Sequence, residues 1–473
     1  MPPLATPSII DSMSRRLRYL LFLAYFIVGC ASCQPLKAPF ANPPVEDQEV
    51  RIGREFRREA RKKLKLVHHP EVERYVNQVG QRLVSTVGPQ PFDYRFFVVE
   101  NSQLNAFAVP GGSIYVHTGL IERITSTDEL AGVLGHEIVH VKGHHAVRMS
   151  GGPDPISLLS LLGVFLGGAG PQAAVALGQA LAVTRQLSYN RQLEQEADTL
   201  GVKYMAGAGY DPQAAVSFLK SMDRDRALNP IEIPPYLMTH PLTPERIAGV
   251  ESAIRSFALK QPKSESVDPM KKIQTLLRLE RHESDAVVAE YEKALGQNPQ
   301  SAEALQLLGV AHHYSGRWAR AVDYFERARS LNPKGPGIDR DLGRAYTQSG
   351  EFRLAGAAFE RAFAAEPNEP LNYLFAGELY EKESKLPEAV GAYLRAHNLA
   401  PLWPAPARQL GIAYGKMNRL GDAYYYLGRS HLLADEDELA VTTLERALKS
   451  VEPASSRSQV IREELETIKA RKR

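Results

Sequence analysis

Cysteine is almost absent from this 473-residue chain. The two that occur, Cys30 and Cys33, both lie near its start, so nothing after them can form a disulfide or a thiolate metal site. A metal held by the main body must therefore use His, Asp or Glu. A dominant charge is also missing. The 57 Lys and Arg against 54 Asp and Glu leave a formal net charge of +3, no broad basic field, and no reason to expect nucleic acid as a partner. Apolar runs of the roughly 20 residues needed to cross a bilayer are lacking too. What is present is 44% hydrophobic and 23% charged, as in ordinary folded domains, and the length suits two or three of them.

The first residues read as a targeting signal. Arg15, Arg16 and Arg18 precede a short apolar run, Leu20 to Val28, which ends in Ile27-Val28-Gly29-Cys30. That ending looks like a bacterial lipobox, with Met13 as the working start, cleavage before Cys30 and acylation of Cys30. Ala31, in place of Asp, resembles an outer-membrane address. The expectation is a lipoprotein signal peptide over 1–29, a tether over 30–45 that includes Pro35 to Pro44, and a periplasmic protein held at the outer membrane by lipid chains.

Apolar spacing predicts helices over Glu46 to Leu66 and Pro70 to Val87. Tyr94 to Val99 reads as a strand, and Asn105 to Ala108 and Ser113 to Val116 as two more around Pro110-Gly111-Gly112. Ser126-Thr127-Asp128-Glu129 is a capping box for a helix running from Leu130 to about Met149. Two short apolar pieces follow, Ile156 to Leu166 and Ala173 to Val183. They suit a buried helical hairpin, or else a flap or membrane-contacting loop. Another long helix is expected from about Leu187 to Ala206.

The C-terminal part repeats itself. Gly309, Gly343, Gly377 and Gly411 are spaced 34 residues apart. Ala321, Ala355, Ala389 and Ala423 keep the same phase, as do Phe325, Phe359, Tyr393 and Leu427, and Pro333, Pro367 and Pro401 close three units. Tyr291, Ala294 and Pro299 extend the phase backward by half a unit. This is the tetratricopeptide period, in which small residues let paired helices approach and an aromatic fills the space to the next. The expected layout is a peptidase-like domain over 46–257, a linker over 258–270, and repeats with a C-terminal cap over 271–473. The expected fold class is mainly α: an α+β domain with a small sheet, then an α-solenoid.

The chemistry centres on His136-Glu137-Ile138-Val139-His140. On a helix the two histidines share a face and can chelate one zinc ion, while Glu137, one position aside, can act as general base on water. Apolar or small flanks predict a buried helix. In Glu194-Gln195-Glu196-Ala197-Asp198, Glu194 and Asp198 are again four apart. Glu194 can supply a third ligand, and Asp198 can accept a hydrogen bond from a ligand imidazole. Glu196 falls on another face and is expected to be structural, as are His144 and His145.

HExxH followed by ExEAD resembles the gluzincin peptidases. Asn105-Ala106-Phe107-Ala108-Val109-Pro110-Gly111-Gly112, the Gly-Tyr-Asp-Pro at 209–212, Thr239-His240-Pro241-Leu242 and the repeats narrow the resemblance to the β-barrel assembly-enhancing proteases. The resemblance covers residues from about 46 to the end, and the lipobox departs from it. It implies one zinc per subunit, Glu194 as ligand, and His240 as a fourth ligand that plugs the site and must leave before hydrolysis. It also implies work on stalled or misfolded proteins beside an outer-membrane assembly machine, with the repeats as a docking surface. Arg246, six residues beyond His240, is a candidate for stabilising the tetrahedral oxyanion. Asn105, Ala106 and Phe107 are candidates for the edge along which an extended substrate pairs. The rival reading is a non-catalytic periplasmic chaperone or scaffold with a structural zinc.

Overall fold

The computed structural model describes residues 45–150, 191–228, 234–257 and 268–472. Cys30, the signal and tether, the apolar stretch at 156–183 and most of the linker lie outside the described residues. No helix among those described is long and apolar enough to cross a membrane.

Two helices, α1 (Val45–Lys63) and α2 (Pro70–Val84), precede a three-stranded sheet of β1 (Arg95–Val99), β2 (Ala106–Val109) and β3 (Ser113–His117). The strand order is β1-β3-β2. β1 runs parallel to β3 with Arg95 opposite Ser113, and β2 runs antiparallel to it with Val109 opposite Ser113. The central strand β3 is buried at every position, and its alternation divides the core. Ile114 and Val116 face the main core, whereas Tyr115 joins Phe56, Ala60, Phe107 and Val109 beneath α1. The β2–β3 turn needs its glycines. Gly111 and Gly112 have φ of +79° and +92°, and a Cβ on Gly111 would lie 2.5 Å from the Glu49 carbonyl.

After α3 (Thr118–Arg123) comes the central helix α4 (Thr127–Lys142). Ser126 accepts a bond from Glu129 N, and the Glu129 carboxylate accepts one from Thr125 N. The expected continuation to Met149 does not occur. Gly143 caps the helix, His144 turns left-handed at φ +53°, and α5 (His145–Ser150) starts in a new direction. α6 (Arg191–Ala208) crosses α4 at a pair of glycines. A Cβ on Gly201 would sit 3.1 Å from His136 N, and one on Gly135 would sit 3.2 Å from the Gly201 carbonyl. Their absence lets the two helix backbones close up. α7 (Gln213–Leu228), the short α8 (Pro235–Thr239) and α9 (Pro244–Ser256) complete this region.

The repeats form helix pairs: α10 (Met270–Glu280) with α11 (Ser284–Gln297), α12 (Ala302–Tyr314) with α13 (Trp318–Leu331), α14 (Ile338–Ser349) with α15 (Phe352–Ala365), α16 (Pro370–Lys382) with α17 (Leu386–Leu399), and α18 (Pro404–Lys416) with α19 (Leu420–Leu433). α20 (Asp437–Lys449) and α21 (Ser456–Lys472) follow. The 34-residue period has the cause expected of it. A Cβ on Gly309 would lie 2.5 Å from Phe325, and Gly343, Gly377 and Gly411 are covered in the same way by Phe359, Tyr393 and Leu427. The half-unit at Tyr291 is a whole pair, because α10 supplies its first helix.

The array packs on the peptidase-like domain through α2. Glu71, 3% exposed, meets Lys272 Nζ at 2.7 Å and Arg344 Nη1 at 2.6 Å, and Lys272 also meets Asp341 at 2.7 Å. Burial alone would raise the Glu71 carboxyl, but Lys272, Arg344 and Arg340 outweigh it and hold it well below the usual range. His69 bonds Tyr314, and Trp403 Nε1 donates to Glu73 at 3.1 Å. Further along, Asp435 receives Arg57 Nε at 2.9 Å and Arg95 Nη1 at 3.0 Å. Asp268, at the end of the expected linker, accepts from Thr127 N and from Met270 N, so it ties the start of α4 to the start of α10.

Candidate metal centre

Because α4 and α6 cross so closely, the two i, i+4 pairs face each other. His136, His140, Glu194 and His240 each place a donor atom within 4.8 Å of the others. His136 Nε2 lies 2.9 Å from His140 Nε2 and 3.2 Å from His240 Nδ1, while Glu194 Oε1 lies 3.2 Å from His240 Nδ1 and 3.4 Å from His140 Nε2. The ligand-to-ligand edge of a tetrahedral zinc with bonds of 2.0–2.1 Å is about 3.3 Å. The observed spacings fit that edge. The donor chemistry fits too, since three imidazole nitrogens turned toward one point repel unless a proton or cation lies between them.

The surroundings set the protonation. Burial would lower His136, but Asp198 and Glu194 outweigh it and raise it to about 10. Burial would raise Asp198, yet Arg246 and His136 bring it to about 2, and Glu194 is held well below the carboxylate range by the three histidines against its own burial. His140 and His240 are lowered, chiefly by burial. Beside the Arg246 guanidinium, the imidazoles therefore hold one proton, on His136, between two carboxylates, and a metal ion can take the place of that proton.

Asp198 Oδ1 lies 3.0 Å from His136 Nδ1, the ring nitrogen that does not face His140 and His240. Glu137 is 1% exposed, and burial pushes its carboxyl up to about 7, near the ideal for a group that takes and returns a proton at neutral pH. Its Oε1 has no hydrogen bond, although His240 Nε2 stands 3.3 Å away. His240 thus lies on both the metal position and the base. Tyr236 packs its ring 4.8 Å from the His240 ring, and Tyr236 O accepts from His240 N at 2.8 Å.

Arg246 is placed differently from an oxyanion donor. Its Nε and Nη2 fork onto Asp198 at 2.8 Å each. Nη1 lies 3.0 Å from Glu194 and donates to the His240 and Pro241 carbonyls at 3.2 Å. Every face of the guanidinium is occupied by the site's own carboxylates and by the loop carrying His240. Of the expected substrate edge, Ala106 and Phe107 lie on β2, which pairs only with β3 among the described strands. Asn105 just precedes β2, its carbonyl accepting from His117 N. Ala108 N–H reaches Glu137, so this edge borders the base. Two residues not expected here join the site. His145 Nδ1 lies 2.9 Å from His140 Nδ1, and Glu196 Oε2 lies 3.5 Å from His145 Nε2. Gly143, a helix-stopping residue three beyond His140, is the sequence signal that marks the turn.

Residues 70–254 match the sequence model for Peptidase family M48. The chain carries an M48 peptidase domain. Tetratricopeptide repeat models match residues 302–334 and 340–402, and a model of the Est1 DNA/RNA binding domain matches 389–469, where the helix pairing continues. The chain is 36% identical over 212 residues to the beta-barrel assembly-enhancing protease of Escherichia coli (strain K12), covering 43% of each chain. It is 28% identical over 199 residues to the mitochondrial metalloendopeptidase OMA1 of Schizosaccharomyces pombe, covering 42% of this chain and 57% of that one. The match spans about half the length of the bacterial relatives, 43–51% of each. Among solved structures, MamA is similar with 22% identity and a TM-score of 0.31, over 34% of this chain and 94% of its own.

Proposed function

We propose that this protein is a zinc-dependent endopeptidase that removes stalled or misfolded proteins during outer-membrane β-barrel assembly, and that His240 keeps it latent. The observation that carries the reading is the convergence of His136, His140, Glu194 and His240 on one point with a buried, proton-ready Glu137 beside it. When bound, zinc would polarise the scissile carbonyl and make water nucleophilic at neutral pH. His136, His140 and Glu194 would hold the ion. Glu137 takes the proton from the attacking water and delivers it to the leaving amine. The β2 edge offers backbone groups along which an extended substrate can pair. Hydrolysis requires the His240 loop to withdraw, because its imidazole lies against His136, Glu194 and the Glu137 carboxylate. Likeness to the assembly-enhancing proteases supports the substrate class, and the repeats support docking of a protein partner. The Cys30 lipobox supports a periplasmic, outer-membrane-anchored protein.

The rival, a chaperone or scaffold with a structural zinc, is favoured by one observation: with His240 in place the ligand set is closed. Cleavage of an unfolded protein such as casein separates the two. The wild type should cleave slowly, His240→Ala faster, and His240→Ala/Glu137→Gln about 100-fold or more slower than His240→Ala, with equal zinc content in all. No cleavage by the zinc-loaded His240→Ala protein would leave the scaffold reading in its place.

A further inference from the structure

Outside the proposed ligand set, a fully buried imidazole stands against His140 and has no role in the chemistry above. His145 is 0% exposed, and its ring stands nearly perpendicular to that of His140, with centroids 4.8 Å apart. Five residues along a continuous helix, it would point about 140° away from His140. It comes back because α4 stops. Gly143 caps the helix, and left-handed His144 reverses the chain, its own ring pinned by Glu49 at 2.6 Å. The His145 ring then folds over Gly143, where a Cβ would collide with its Nε2 and lie 2.5 Å from its Cδ2. Glycine at 143 is thus what leaves room for the ring.

We propose that His145 is the positioning residue for His140, accepting the His140 Nδ1–H and so fixing the tautomer and ring plane that aim His140 Nε2 at the metal. The inference rests on the metal-centre reading above. A histidine that ligates through Nε2 carries its proton on Nδ1, and the group 2.9 Å from that nitrogen is His145 Nδ1. His145 must then be neutral with its own proton on Nε2, the side where Glu196 stands at 3.5 Å, itself held by Arg148 at 3.2 Å. The two metal-facing histidines therefore have unlike outer partners: a carboxylate, Asp198, behind His136 and a neutral imidazole behind His140.

The test uses the full chain and zinc alone. Zinc affinity is measured by chelator competition for wild type, His145→Phe and His145→Asn, with melting of each metal-free protein and the visible spectrum of each cobalt(II)-loaded one. Phenylalanine fills the space without an acceptor, whereas the asparagine Oδ1 takes the place of Nδ1. His145→Phe should bind zinc about 10–100-fold more weakly and show an altered cobalt spectrum, and His145→Asn should recover to within about threefold of wild type. Unchanged affinity in His145→Phe would overturn the inference and leave the metal centre standing. Equal loss in both variants, in step with lower metal-free melting, would reduce His145 to a packing residue. A wild type that binds no zinc would remove the metal centre and this inference together.

Discussion

Replacing Arg246 by Met separates two roles for that residue. Arg246 is 4% exposed, between Asp198 at 8% and Glu194 at 5%. Two of its contacts go to Asp198, one to Glu194 and two to the carbonyls of His240 and Pro241. Methionine fills much of the volume but leaves Asp198 and Glu194 facing a single proton on His136. Removing one partner of a buried ion pair costs about 3–5 kcal/mol, and this group serves two carboxylates, so the upper half of that range applies. For a domain of this size each kcal/mol moves the midpoint by about 2–4 °C. The metal-free full-length protein should therefore lose roughly 10 °C or more in the transition that unfolds the peptidase domain. Arg246→Lys should fall between, since an ammonium supplies charge but cannot fork onto Asp198 and reach the loop carbonyls together. The assay is thermal unfolding by circular dichroism in the presence of a chelator. If Arg246→Met melts within about 2 °C of wild type while cleavage by a His240→Ala background falls, Arg246 acts on the oxyanion and the bracing argument fails.

Acid should loosen the packing of the repeats on α2. Burial lowers His69 to about 4 from its ordinary 6.5, so the unfolded state binds more protons between those values. Its share of stability is complete above pH 6.5 and is lost as pH falls through that window, reaching about 2 kcal/mol at pH 5. Glu71, held well below its usual range, adds a share that is lost only below about pH 4.5. Melting at pH 7.5 and pH 5 should show a smaller drop for His69→Gln than for wild type, and equal drops would refute the assignment. Separately, Cys30→Ser should move the protein from the membrane fraction to the soluble periplasm, and incorporation of radiolabelled palmitate into the variant would disprove acylation at Cys30.

The chemistry of the site was largely legible because it is written at helical spacing. His136 with His140, and Glu194 with Asp198, each declare a shared helix face, and only the crossing at Gly135 and Gly201 was needed to bring the faces together. The repeat was legible for a similar reason, since Gly309 and Phe325 are a local clash avoided every 34 residues. What escaped depends on direction or distance. His145 looked peripheral on a helix drawn to Met149, and a left-handed residue at 144 reversed that. Arg246 read as an oxyanion donor, whereas its fork is taken by Asp198, 48 residues earlier. The seating of the array on α2 rests on pairs such as Glu71 with Arg344, 273 positions apart, for which spacing carries no signal.

That seating bears on how the repeats can serve a partner. Lys272, Tyr314, Arg344 and Trp403, from different repeats, all turn toward α2 or the residues at its start, so part of the array is already covered by the chain itself. A partner that displaced α2 would leave Arg344 without Glu71 and Lys272 with Asp341 alone, at a cost of about 3–5 kcal/mol unless it brought a carboxylate of its own. The same α2 touches the N-terminus of the active-site helix, where Tyr75 bonds Thr127 at 2.8 Å and Asp268 bonds Thr127 from the start of the array. α2, the start of the array and the head of the helix carrying His136, Glu137 and His140 thus meet at Thr127.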